Sequence, residues 1–100
     1  MKQYRYCAYY DGTPTISGFQ RSMKSEDEIQ VLLAELPSRL EYHCADDAQI
    51  SPGAVGAAHV SGPLRLTRTV TISTALAERD AIARIEMAFK DLDLFGQRVL

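Results

Sequence analysis

The sequence predicts an α+β fold: a two-layer sandwich in which an antiparallel sheet carries two helices on one face. Three observations predict it. Several segments place apolar side chains at every second residue, two others place them at helical spacing, and a composition of 46% hydrophobic and 24% charged residues is that of a folded domain. A chain of 100 residues makes a single domain, large enough to bury a modest core without cross-links.

Residues 4–10 are rich in aromatics and run into Asp11-Gly12, a dipeptide that supplies the backbone angles of a tight hairpin turn, so they read as a first strand. Tyr4, Tyr6 and Tyr10 share one face of it, and Arg5, Cys7 and Tyr9 the other. Thr15 to Arg21 is the expected return strand, with Gly18 as a bulge site between Ile16 and Phe19. Ser25 and Glu28 have the spacing of a capping box, and Ile29, Leu32, Leu33 and Leu36 follow at helical spacing until Pro37 ends the pattern. A helix over 25–36 is expected.

Leu40, Tyr42 and Cys44 then alternate with Arg39, Glu41 and His43, the period of a half-buried strand. Residues 45–62 are dominated by small side chains and are expected to form a long flexible loop. Leu64, Leu66, Val70 and Ile72 line one side of the next strand, and Arg68 falls in the same apolar file. Because a buried unpaired charge is so costly, a local bulge is expected to turn Arg68 outward. Ser73 or Thr74 caps a helix over 74–94 with Ile82, Ile85, Phe89 and Leu92 on one stripe, and Gly96 closes it in a left-handed conformation. The order is β-β-α-β-β-α. The alternative is a ferredoxin-like β-α-β-β-α-β order in which Gln97 to Leu100 form a terminal strand.

Composition excludes several function classes. No segment has the length and apolarity of a membrane span or a secretory leader, so a cytoplasmic protein is expected. Cys7 and Cys44 are too few for a disulfide scaffold and read as packing residues. With His43 and His59 they lack the paired spacing of a zinc site, so no metal and no cofactor are expected. Neither a Cys–His pair with an orienting third group nor a phosphate-binding glycine loop is present, which argues against an enzyme.

The net charge of −2 argues against direct nucleic-acid binding. Acid is concentrated in residues 25–50, where Glu26, Asp27, Glu28, Glu35, Glu41, Asp46 and Asp47 face Arg39 alone. The leading expectation is therefore a non-enzymatic interaction protein that blocks a larger protein or ribonucleoprotein partner. Glu28, Glu35, Glu41, Asp46 and Asp47 would offer carboxylates where phosphates otherwise lie. Small phage-encoded inhibitors, anti-CRISPR proteins among them, work in this style, an analogy of size and charge. A homodimer paired through a sheet edge fits the same reasoning. The alternative is a small-molecule binding protein or cofactor-free enzyme, with a pocket between sheet and helices or a sheet-face site formed by Tyr6, Tyr10, His43 and Arg68.

Overall fold

The structure, a computed structural model, describes residues 1–11, 24–44, 48–60, 62 and 64–99. Its elements are β1 (Lys2–Tyr9), α1 (Glu26–Cys44), β2 (Ala48–His59), β3 (Leu64–Thr74), α2 (Glu78–Asp91) and β4 (Phe95–Arg98). The four strands form one sheet in the order β2-β3-β1-β4, and every neighbouring pair is antiparallel. The chain is thus α+β with the order β-α-β-β-α-β, close to the ferredoxin-like alternative but with its terminal strand at Phe95–Arg98 rather than Gln97 to Leu100, and this corrects the β-β-α-β-β-α order. Both sides of β1 are taken, by β3 and β4. The expected return strand, residues 15–21, lies outside the described residues.

The pleat sorts the residues as the sequence indicates. Tyr4, Tyr6 and Ala8 of β1 stand opposite Ile72, Val70 and Arg68 of β3. The buried members of this file join Leu33, Leu36 and Leu40 of α1 and Ala81, Ile85, Ala88 and Phe89 of α2 in one core. Both helices therefore cover the same face. The other face, with Gln3, Arg5, Cys7 and Tyr9 opposite Ser73, Thr71, Thr69 and Thr67, carries no helix from the described residues.

Three local corrections share a physical cause, which is that tertiary contacts override a local signal. Helix α1 does not stop at Pro37 but continues to Cys44, so residues 39–44 are helix rather than strand. Leu33, Leu36, Leu40 and Cys44 are all buried and continue the helical stripe, whereas Tyr42 is 75% exposed. Pro37 has no N–H and leaves the carbonyl of Leu33 without its helical partner. Arg68 supplies the missing donor: its Nη1 donates to Leu33 O at 2.9 Å and its Nε to Gly53 O at 2.9 Å. Arg68 thus stays in the helix-facing file instead of turning outward, because two carbonyls satisfy it.

The second correction is that β2 occupies Ala48–His59, most of the stretch expected as a loop. Its register slips between Pro52 and Val55, and Gly53 sits so close to β3 that a Cβ there would lie 2.8 Å from Thr69 O.

The third concerns α2. The helix begins after Ala77 with no side-chain cap, while Thr74 remains in β3 and its Oγ1 accepts the Leu76 N–H at 3.1 Å. The left-handed residue after α2 is Asp93, with φ 54°. Gly96 belongs to β4 instead, under the Phe89 ring, where a Cβ would come within 2.5 Å of that ring.

Candidate functional site

The acids of the first turn of α1 suit the positive end of the helix dipole. Glu28 is partly committed there. Its N–H donates to Ser25 Oγ at 3.2 Å, and the Ser25 hydroxyl donates to Glu28 Oε1 at 3.2 Å. Glu28, Glu35 and Glu41 are all exposed. At roughly 100° per residue, Glu28 and Glu35 fall on nearly one line of the helix, while Glu41 is rotated about 140° from Glu28. The carboxylates therefore border the outward face of α1 rather than forming one patch. Asp46 and Asp47 lie outside the described residues. Between the acid lines the outward face shows Val31, 56% exposed, and Tyr42.

Tyr6, Tyr10, His43 and Arg68 each have another engagement. Tyr6 is buried against Phe89 with ring centroids 5.6 Å apart, and burial raises the pKa of its phenol, with Arg98 opposing. Tyr10 is buried too, and its carbonyl accepts Arg65 Nη1 at 3.2 Å. His43 Nε2 lies 2.6 Å from Asp91 Oδ2, Arg39 is 3.8 Å from the same carboxylate, and Arg84 Nη1 donates to His43 O at 3.3 Å. These groups tie the end of α1 to α2. Arg68 is held by its two carbonyls.

Cys44 has the wrong setting for an activated thiol. Cys44 is buried, and burial pushes its thiol pKa up against the opposing charge of Arg84, where nucleophilic catalysis needs it lowered. His59 is engaged through Nδ1 with Gly62 O at 3.0 Å. Among the described residues no three of His, Cys, Asp and Glu come together to hold a cation, and no helix is long and apolar enough to cross a membrane.

One feature of the fold is not marked by any motif. Among the described strands β2 is an edge of the sheet, and none of its residues is buried. The chain carries no Asp, Glu, Lys or Arg between Asp47 and Arg65. In an antiparallel edge, alternate residues turn both N–H and C=O away from the sheet, and natural proteins usually guard such groups with charge, proline or a bulge. Pro52 and the bulge guard the first half of β2. Val55 to His59 then pair regularly with Arg68 to Leu64, with no such guard among the described residues. Gly56 has open space where a side chain would stand, so nothing from the described residues covers it. The sequence signal that could reveal this strand is the long uncharged run together with Ile50 and Val55, but alanines and glycines of low strand propensity mask it.

No protein family matches the chain, and no curated protein does. Among solved structures it is similar to a "putative amidohydrolase/peptidase from Burkholderia cenocepacia", at 17% identity and a TM-score of 0.44. The match covers 97% of this chain but only 26% of that protein. A likeness at this level assigns no activity.

Proposed function

We propose that this chain is a non-enzymatic interaction domain that binds a larger protein by adding a strand of its partner to the edge of β2. The observation that carries the reading is the unguarded stretch from Val55 to His59, exposed or half-exposed throughout and free of charged side chains. Strand addition obtains affinity from main-chain hydrogen bonds, and small side chains such as those of Gly56, Ala57 and Ala58 let another backbone approach closely. The carboxylates of α1 then have a supporting role. Helix α1 packs over β2, so Glu28, Glu35 and Glu41 lie on the same half of the domain and favour a partner with a basic rim, such as machinery that handles nucleic acid.

The contact itself would lie on the β2 edge, and the acids would steer encounter. The test is to load that edge with Gly56→Glu and Ala57→Glu. Added carboxylates strengthen a contact made mainly by acid against a basic groove, and they weaken a contact made by strand addition. A second copy of the chain is the competing occupant, and the mass of the complex in solution identifies it.

A further inference from the structure

We infer that the open face of the sheet carries a second site, a cleft that takes a small ligand bearing a phosphate or carboxylate group. The cleft has a volume of about 570 Å³, within the range of small-molecule sites. Its floor is the two central strands, its walls are Pro52 and Gly53 at the bulge of β2 and Val99 beyond β4, and it lies on the face away from the helices.

Five polar residues of the open face line it, Gln3 and Arg5 from β1, Ser51 from β2, and Thr69 and Thr71 from β3, and Arg98 of β4 borders it as a sixth. The pairing register puts Arg5 directly opposite Thr71, and Ser51 opposite Thr71 on its other side, so they share the outward face. Among the described residues, none of the five open-face residues makes a side-chain hydrogen bond or ion pair. Arg98, by contrast, stands opposite Tyr6 and so turns its side chain to the helix face, where it meets Glu78 at 3.3 Å and lies over the Tyr4 ring.

Among the described residues no Asp or Glu side chain lines the cleft. A site with one unpaired guanidinium, one amide, three hydroxyls and no acid has surplus donors and a positive charge, and the ligand chemistry that satisfies both is an oxyanion. The planar fork of Arg5 donates two parallel hydrogen bonds to one phosphate or carboxylate, while Thr71, Ser51 and Gln3 donate to the remaining oxygens. The site is distinct from the β2 edge, where Val55 to His59 point their free backbone groups along the sheet rather than out of its face.

The experiment is a pair of nuclear magnetic resonance titrations of the full chain, with inorganic phosphate and with succinate, against chloride at matched ionic strength. Saturable shifts are expected at Gln3, Arg5, Ser51, Thr69 and Thr71. Arg5→Gln should weaken binding by about tenfold or more, the loss of a charged hydrogen-bonding partner, while Arg79→Gln on α2 leaves it unchanged. The dispersion of the same spectra shows that each variant is folded. Saturation by phosphate alone identifies a phosphorylated ligand, and saturation by succinate alone a carboxylate. Shifts that rise linearly with either anion, or an unchanged affinity in Arg5→Gln, would overturn the assignment.

Discussion

Replacing Arg68 with Met keeps an unbranched apolar stem and removes the guanidinium from two carbonyls, those of Leu33 and Gly53, each 2.9 Å away. A hydrogen bond from a charged donor contributes about 1.5–3 kcal/mol, and a buried carbonyl left without a donor costs about 1–3 kcal/mol. Gly53 is exposed in β2 and its carbonyl can turn to water. Leu33 is fully buried, and Pro37 denies its carbonyl the usual helical donor. Most of the loss should come from Leu33, and Arg68→Met should cost about 2–3 kcal/mol. Pro37→Ala restores an N–H aimed at that carbonyl. In the Pro37→Ala background the same Arg68 change should cost about 1 kcal/mol less, a coupling that urea unfolding followed by circular dichroism can resolve. An equal loss in both backgrounds would refute the idea that Arg68 substitutes for the missing helical donor.

Two further outcomes follow from packing and burial. Gly96→Ala forces a methyl against the buried ring of Phe89 and should destabilise the fold by about 1–3 kcal/mol, with Phe89→Leu relieving part of it; an unchanged thermal midpoint for Gly96→Ala would contradict the fit. Burial raises the folded pKa of Cys44, so the unfolded chain loses this proton first as pH rises. The stability it contributes is complete below the ordinary thiol pKa of about 8.5 and declines above it by up to about 1.4 kcal/mol per pH unit until the folded pKa is reached. Cys44→Ala should flatten that alkaline decline whatever its packing cost, and an identical slope in both proteins would show that Cys44 does not produce it.

The elements with strong periodic patterns are legible in the sequence. The alternation in residues 64–72 and the stripe of Ile82, Ile85 and Phe89 have one interpretation each, and β3 and α2 contain them. The capping box likewise marks the start of α1. Residues 37–44 misled because Leu40 and Cys44 satisfy a period of two and a helical spacing alike, and because the compensation for Pro37 comes from Arg68, distant in sequence. Gly96 resembles a helix cap until the packing of Phe89 reveals why a side chain is excluded. The edge of β2 was hidden for a different reason. Its small residues describe a loop by composition, and they become strand because β3 offers a ladder on both sides of the bulge. The open-face cleft is invisible without the register that aligns Arg5, Thr71 and Ser51 across three strands.

The β2 edge is the proposed meeting point of this domain and its partner. The most direct measurement is the affinity of the isolated partner for three folded proteins: the wild type, the edge variant Gly56→Glu with Ala57→Glu, and the variant with Glu28, Glu35 and Glu41 changed to Gln. Gly56 has room for a side chain and Ala57 is exposed, so the edge variant should keep its fold. The edge variant should lose binding by about a hundredfold, the worth of a few main-chain hydrogen bonds. The neutralised helix should lose about tenfold or less, chiefly in association rate and chiefly at low salt. Unchanged or tighter binding by the edge variant, with the larger loss in the neutralised helix, would contradict the claim and return the contact to the acids of α1.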